Sequence, residues 1–209
     1  GEAFTSRAEE EGYQLVGSAQ LLARGAVTLT PNDYHQVGSL LISSRRLPLR
    51  SEARPLLSSF RLSFEAYLGD GSGGEGLSVC YGELPGGVPF GRDGVSHGLC
   101  VRFVTQGEWS VDEYDIRDVK RRRTKPVLQH SIELVYGGKL LQSADVKEHG
   151  AVDDLRLHEW APVLVECTAA GLVSVAYNGR DFFANVRVDG YAPTDAWEFG
   201  IGASTGAWT

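Results

Sequence analysis

A glutamate inside a run of glycines is the first feature of this sequence that suggests a binding site. Glu75 follows Gly73 and Gly74 and precedes Gly76, directly before the apolar stretch that begins at Leu77. A carboxylate accepts hydrogen bonds from ligand hydroxyl groups, and glycines let a ligand approach the backbone closely because they carry no side chain. The run predicts either the floor of a ligand cleft or a tight strand connection with an exposed glutamate.

A second acidic group raises the question of hydrolytic chemistry. Glu113 and Asp115 share one face of an extended chain, and Asp118 follows three residues later. Retaining glycoside hydrolysis needs two carboxyl groups about 5–5.5 Å apart. The segment resembles the Glu-x-Asp-x-Glu motif of laminarinase- and lichenase-type glycosidases and its bulged form, Glu-x-Asp-x-x-Glu. At the last position of these motifs it carries Arg117 in the regular form and Asp118, which is shorter than glutamate, in the bulged form. We therefore expect a non-enzymatic protein, and Glu113 with Asp118 is the pair that a glycoside hydrolase would use.

Basic and aromatic residues surround this acidic segment. Residues 120–125 form a dense basic run, KRRRTK, in an otherwise acidic chain. The run predicts a solvated loop that pairs with the acidic cluster, or a site for an anionic glycan or an acidic protein patch. Trp109, Tyr114 and Trp208 fall in or beside predicted loops. Exposed aromatic rings stack on the apolar faces of sugars and also anchor protein interfaces, so these three are candidate ligand-binding residues.

The cysteines and histidines give no metal signature. Cys80, Cys100 and Cys167 include no CxxC pair, and the five histidines have no ligand spacing, so we expect surface histidines and no metal or other cofactor. Pairing the strands 77–81 and 99–105 with their apolar faces aligned sets Cys80 opposite Cys100. A cross-strand disulfide is conceivable there, but its geometry is demanding. We interpret the two residues as buried or half-buried thiols.

Composition narrows the class of protein. The chain has 209 residues and a formal net charge of -7, which argues against an electrostatic nucleic-acid binder because phosphate neutralisation needs a basic face. Hydrophobic residues make up 42%, too many for a disordered chain. No apolar run approaches the ~18–20 residues of a membrane span. The 26 glycines are typical of a β protein with many turns.

Apolar and polar residues alternate with period two along most of the chain, which predicts half-buried strands. Asn178-Gly179 predicts a type I′ hairpin turn, and Gly137-Gly138 is a weaker signal of the same kind. Trp160 and Trp197 are expected in the core at strand starts. The expected fold is an all-β jelly-roll sandwich of two antiparallel sheets. The predicted strands are residues 25–30, 36–43, 59–68, 77–81, 99–105, 131–136, 161–168, 172–177, 181–188 and 197–204.

The order of these motifs resembles the legume-type (L-type) lectin domain of the concanavalin A-like superfamily. The first half carries GAVTLT at 25–30, GSL at 38–40, SSFRLSF at 58–64 and GGEGLSV at 73–79. The second half carries GLCVRFVT at 98–105, GLVSVAYNG at 171–179 and FGIGASTG at 199–206. The resemblance covers about residues 18–209 and implies a flattened jelly roll, with a site that binds carbohydrate at one edge.

The resemblance also implies site residues, from which this sequence departs. The family's sugar-binding Asp corresponds to Glu75, which carries the same charge on a longer stem. The family's two metal-binding carboxylates correspond to Arg102 and Val104. A cation repels Ca²⁺ and a valine offers no ligand oxygen, so we expect no metal here. The candidate ligand-binding residues are Glu75, Gly76, Gly87, Trp109, Tyr114, Thr205 and Trp208.

Three functional hypotheses follow. The first is a metal-independent, lectin-like module that binds a glycan or glycoprotein at the edge formed by Glu75 and the loops 86–98, 106–125 and 204–208. The second is a protein-interaction module of a larger assembly that keeps the fold without sugar binding, and a glycoside hydrolase ranks third. We expect residues 1–12 to form a mobile arm and residues 13–209 a single domain, in which the closing strand of the resembled family is either cut off or replaced by another segment. Relatives of this kind suggest an extracellular or cell-surface location, with an intracellular scaffold as the alternative.

Overall fold

The computed structural model describes residues 12–42, 56–69, 74–105, 130–146 and 155–206. A single turn of 3-10 helix, Ala23–Gly25, interrupts a chain otherwise built from strands and turns in these ranges. The strands are β1 (Tyr13–Gly17), β2 (Gln20–Leu21), β3 (Val27–Thr28), β4 (Val37–Ile42), β5 (Phe60–Tyr67), β6 (Gly76–Gly82), β7 (Gly98–Val104), β8 (Ser131–Tyr136), β9 (Lys139–Asp145), β10 (Trp160–Cys167), β11 (Leu172–Tyr177), β12 (Arg180–Arg187) and β13 (Glu198–Ser204).

The strands form two antiparallel sheets that share one core, with a two-stranded ribbon of β2 and β3 beside them. The seven-stranded sheet has the order β1-β4-β13-β6-β7-β8-β9, and the four-stranded sheet has the order β12-β11-β10-β5. Buried residues of both sheets, including Phe103, Leu134 and Val163, belong to one apolar cluster. The expected all-β sandwich is therefore confirmed. Across the part of the chain that the structure describes, no helix is long and apolar enough to span a membrane.

The predicted pairing of the two central strands is confirmed residue by residue. Leu77 lies opposite Phe103 and Val79 opposite Val101, so that the paired residue numbers sum to 180. The apolar faces of both strands must point into the same core, and a one-residue slip would turn every side chain to the wrong face. The Asn178-Gly179 hairpin is also present, with positive φ at both turn residues, as a type I′ turn requires.

Three local expectations are wrong. The predicted strand 25–30 is reduced to the two paired residues of β3, because the 3-10 turn precedes it and Pro31 follows it. Trp160 is 53% exposed rather than in the core. It lies opposite Tyr67 on the outer face of the four-stranded sheet, where the two rings are 5.8 Å apart. His130 is buried rather than on the surface, at the start of β8.

The cysteine pair is bonded, which corrects the interpretation of two thiols. Cys80 and Cys100 lie directly opposite each other on β6 and β7 and form a disulfide. Gly94 covers both sulfur atoms, and a Cβ at that position would lie 2.8 Å from each Sγ. Cys167 is the free cysteine, and burial raises the pKa of its thiol, which makes it a poor nucleophile.

An aromatic cluster forms a separate part of the buried core. The ring of Tyr81 stacks on Phe199 at 4.6 Å and meets Trp197 edge-on at 5.3 Å. Trp197 is buried, as expected from its position before β13. The Tyr81 hydroxyl donates a hydrogen bond to the Leu57 carbonyl at 2.6 Å. Burial of the phenol raises the pKa of Tyr81 to about 12, with a smaller contribution from Cys167.

Candidate functional site

Glu75 is held at one edge of the sandwich by the ends of two strands that flank its own. Its backbone N–H donates to the Ser204 carbonyl at 3.0 Å, and its carbonyl accepts from the Thr105 N–H at 3.2 Å. The Ser204 hydroxyl donates to Oε2 of the Glu75 carboxylate at 2.7 Å. The half-buried side chain is therefore oriented, and the second oxygen, Oε1, has no partner among the described residues. Among the described residues, Oε1 is the carboxylate oxygen that a ligand hydroxyl could reach.

Gly76 allows β6 to approach β7 closely at this edge. Its φ is +128°, and a Cβ there would lie 2.0 Å from the Phe103 carbonyl oxygen. Both facts require glycine, since an L residue would be strained in this conformation and would also clash with β7. Gly76 therefore acts by bringing β6 against β7, which fixes the backbone that carries Glu75.

Thr205 connects the Glu75 region to a loop that the sequence analysis did not place at the site. The Thr205 hydroxyl donates to the Asp33 carbonyl at 2.6 Å and accepts from the Gln36 N–H at 2.8 Å. Its own N–H donates to the Gln36 carbonyl at 2.9 Å. Residues 31–36, between β3 and β4, therefore contact the site through Thr205. Their Pro-Asn-Asp sequence is typical of a turn, but nothing in it indicates which strand end the turn contacts.

The loop 83–97 lies across the outer face of the seven-stranded sheet, and its middle part contacts Ser204 beside Glu75. Phe90 sits over two glycines of β13, and a Cβ at Gly200 would lie 2.7 Å from its ring. The Ser39 hydroxyl donates to the Phe90 carbonyl and accepts from the Phe90 N–H, both at 2.8 Å. Two residues later, the Arg92 N–H donates to the Ser204 hydroxyl at 3.2 Å. The loop thus supports the hydroxyl that orients Glu75.

The remaining candidate residues do not join this cluster in the described structure. Gly87 is exposed in the loop 83–97, and no atom lies within 4 Å of its Cβ position. Trp109, Tyr114 and Trp208 lie outside the described residues, as does the pair Glu113 and Asp118. The basic run 120–125 also lies there.

Arg102 binds the loop 83–97 at the position where the lectin resemblance implies a metal-binding carboxylate. Its Nε and Nη2 donate to the Asp93 carbonyl at 3.0 and 2.7 Å, and its Nη1 lies 3.7 Å from Oε2 of Glu133. Val104, two residues along β7, is buried. These residues do not fit a hard cation, which needs several oxygen ligands. Within the five described ranges, no group of three or more His, Cys, Asp or Glu could hold a metal ion.

A cavity of about 610 Å³ opens between the two sheets beside the site. Its walls are largely apolar and include Leu29, Leu40, Phe64 and Ile201, with Thr105 and Thr205 at one end. Sugar hydroxyl groups would lose hydrogen bonds to water against such walls. The edge around Glu75, with its oriented polar groups, suits a polar ligand better than the cavity does.

Solved structures that share this fold include a seed lectin and carbohydrate recognition domains. The exoplasmic/lumenal domain of VIP36, in a Ca²⁺- and mannose-bound form, matches with a TM-score of 0.60 and 20% identity, over 94% of this chain and 77% of that one. The carbohydrate recognition domain of Emp46p, potassium-bound, matches with a TM-score of 0.56 and 14% identity, over 97% and 85%. A Lotus tetragonolobus seed lectin matches with a TM-score of 0.57 and 14% identity, over 93% and 86%.

Sequence comparison adds no closer relative. The chain matches no protein-family model and no curated protein sequence. The three solved structures are titled as a seed lectin, a carbohydrate recognition domain and a lumenal domain with bound mannose, and at 14–20% identity the likeness is one of fold. The two sheets, their strand order and these matches show that the chain has the fold of an L-type lectin domain.

Proposed function

We propose that this domain binds a glycan or glycoprotein at the edge formed by Glu75, Gly76 and Thr205, without a metal at Arg102 and Val104. The observation that carries the proposal is the Glu75 carboxylate, which Ser204 orients through Oε2 while Oε1 accepts no hydrogen bond from the described residues. A fixed carboxylate suits a sugar hydroxyl because hydrogen bonds to charged acceptors are stronger than neutral ones, and no ordering of the side chain is needed on binding. Gly87, Trp109, Tyr114 and Trp208 stay proposed members of the rim.

Arg102 supports the metal-independent part of the proposal. Its guanidinium holds the Asp93 carbonyl with two hydrogen bonds, next to the Arg92 N–H that contacts Ser204. A permanently charged side chain thus anchors the loop 83–97 close to the ligand edge. We infer that this internal cation stabilises the loop without a bound ion.

The test is glycan binding with and without a chelator. The VIP36 structures are titled as bound to mannose and to Man3GlcNAc, so Man3GlcNAc on a glycan array and in calorimetry is the first probe. We expect binding that is equal in Ca²⁺ and in EDTA. Binding that EDTA abolishes would contradict metal independence, and absence of binding to every glycan on the array would contradict the lectin function.

Glu75→Gln tests the site itself. The amide keeps the shape of the side chain but removes its charge, and we expect a 10- to 100-fold loss of affinity, since a hydrogen bond to a charged group contributes roughly 1.5–3 kcal/mol. Glu166→Gln is the matched control, because Glu166 lies on β10 in the four-stranded sheet, where it pairs with Arg61 and does not line the cavity beside the site. Equal affinity of Glu75→Gln and the parent protein would remove Glu75 from the site.

A second candidate function, a protein-interaction module, is favoured by the exposed aromatic pair on the four-stranded sheet. Tyr67 and Trp160 are both large, exposed and adjacent, as the anchors of protein interfaces often are. This function would give a stoichiometric protein complex that survives deglycosylation of the partner and is weakened by Trp160→Ala. A complex that is lost on deglycosylation would favour the lectin function.

We also propose an extracellular or lumenal location, with an intracellular scaffold as the alternative. The Cys80–Cys100 disulfide supports it, because such bonds form and persist in oxidising compartments. The match to a domain titled exoplasmic/lumenal is consistent with this location. Isolation of the native protein under thiol-blocking conditions should recover the disulfide, and a fully reduced pair would argue for the cytosol.

A further inference from the structure

The loop 83–97 folds over the disulfide at its own base. It connects β6 to β7, and the Cys80–Cys100 bond joins the same two strands. Neither cysteine has any exposed surface. A Cβ at Gly94 would lie 2.8 Å from each Sγ, and the Val95 N–H donates to the Cys100 Sγ at 3.4 Å. The backbone of the loop therefore packs directly on the two sulfur atoms.

Apolar packing attaches this loop to the sheet through the same two cysteines. Phe90 and Val95 are the buried apolar side chains of the loop. They share one cluster with both cysteines and with residues of the sheet, namely Val16, Leu41 and Val135. Because protein interiors leave almost no free volume, a change in the space that the sulfur atoms occupy must move the residues packed on them.

Polar contacts of the loop extend this packing to the proposed site. Residues 92 and 93 directly precede Gly94. The Asp93 carbonyl accepts two hydrogen bonds from Arg102, at 3.0 and 2.7 Å. The Arg92 N–H donates to the Ser204 hydroxyl at 3.2 Å, and that hydroxyl orients the proposed binding carboxylate. The sulfur atoms are thus linked to the proposed site through three consecutive loop residues.

We propose that the Cys80–Cys100 disulfide is a redox-sensitive latch that holds the loop 83–97 on the sheet when oxidised and releases it when reduced. This inference adds regulation to the proposed site, and it rests on the proposed function only for the effect on glycan affinity. Two thiol groups need more room than a disulfide, because their sulfur atoms are no longer bonded. Gly94 leaves no room on the loop side, so the loop must move.

The reductant is a dithiol, and the reaction is thiol–disulfide exchange. A thiolate of the dithiol attacks one cysteine sulfur, the S–S bond breaks, and the other cysteine leaves as a thiolate that takes up a proton. The second thiol of the reductant then displaces the first cysteine, so that the protein gains two electrons and two protons and the dithiol becomes a cyclic disulfide. Since both sulfur atoms are buried, the loop must open before the attack. Contacts that hold the loop closed therefore slow reduction.

The first experiment measures how fast dithiothreitol reduces the folded protein, with alkylated cysteines counted by mass spectrometry. We expect reduction roughly 10- to 100-fold faster in Arg102→Ala, which loses both hydrogen bonds to the Asp93 carbonyl. Arg61→Ala is the matched control, because its guanidinium pairs with Glu166 on the four-stranded sheet, and it should react at the parent rate. Equal rates in the two variants, or reduction no faster than global unfolding measured in urea, would overturn the latch.

The second experiment compares hydrogen exchange in the oxidised and the reduced parent, with labelling times shorter than global unfolding. The N–H groups of Arg92 and Val95 should exchange at least about tenfold faster after reduction, because their acceptors are displaced. The N–H of Val163, in the middle of the four-stranded sheet, should exchange at the same rate in both states. Unchanged exchange at Arg92 and Val95, or loss of the sheet signal in circular dichroism on reduction, would contradict the latch.

Glycan affinity separates this inference from the proposed function. Calorimetry with Man3GlcNAc should show weaker binding to the reduced protein than to the oxidised one. Equal affinity in the two redox states would overturn the regulation of the site and leave the proposed function standing. Faster exchange after reduction in a protein that binds no glycan in either state would support the latch and refute the proposed function.

Discussion

Removal of the Cys80–Cys100 disulfide should lower the stability of this domain by an amount that its position predicts. The bond joins residues 20 positions apart, and closing a loop of that length removes unfolded-state entropy that contributes about 3 kcal/mol to stability. Both cysteines are completely buried, so the double variant Cys80→Ala, Cys100→Ala also loses packing. We expect the free energy of unfolding to fall by at least about 3 kcal/mol.

Urea unfolding and thiol titration measure this prediction. With a slope of about 2 kcal/mol per molar urea, the double variant should have a midpoint about 1.5 M lower than the parent. The parent protein, unfolded without reductant, should expose one reactive thiol, that of Cys167, and three after reduction. Cys167→Ala is the control, because it should abolish the thiol signal without reductant and leave the loop constraint in place.

Two outcomes would refute this reasoning. Three reactive thiols in the unreduced, unfolded parent would show that the pair is not bonded. A double variant with the midpoint of the parent would show that the disulfide does not constrain the unfolded chain. Glycan affinity adds a functional readout, because Gly94 packs on both sulfur atoms in the loop whose Arg92 N–H supports Ser204. We expect the double variant to bind more weakly even where it is folded.

Two further predictions concern the packing of the domain. Phe90→Ala should destabilise the protein by about 3–5 kcal/mol and weaken glycan binding. The reason is that the Phe90 ring fills the space above Gly200 and holds the loop 83–97. An unchanged melting temperature would contradict that packing. The free energy of unfolding should decline as the pH rises from 10 towards 12. Burial raises the pKa of Tyr81 to about 12 in the folded state. In this pH range the unfolded chain loses the phenol proton while the folded protein keeps it, so that rising pH favours unfolding. The loss of stability from this residue is roughly 2–3 kcal/mol, and the pH dependence should be smaller in Tyr81→Phe. Urea midpoints that do not change between pH 10 and 12 would contradict this prediction.

Much of the architecture could be predicted from local pattern. Alternation with period two identified most strands, and the alignment of apolar faces fixed the pairing of Leu77 with Phe103. The Asn178-Gly179 dipeptide identified its turn because both residues tolerate positive φ. The same reasoning failed at Trp160, since residue type alone does not indicate which face of a strand is covered. It also failed to predict the bond between Cys80 and Cys100, although the register placed them opposite each other.

The sequence by itself determined most of the strands, the central register, the glycine-flanked glutamate and the presence of Arg102 and Val104 where the lectin resemblance implies carboxylates. Only the tertiary structure decided what surrounds Glu75. Its partner Ser204 lies 129 positions away, and Thr205 contacts Asp33 across 172 positions. These contacts exist because β13 lies between β4 and β6 in the sheet. Side-chain alternation sets which face a residue occupies, but the order in which distant strands assemble depends on the packing of the whole core.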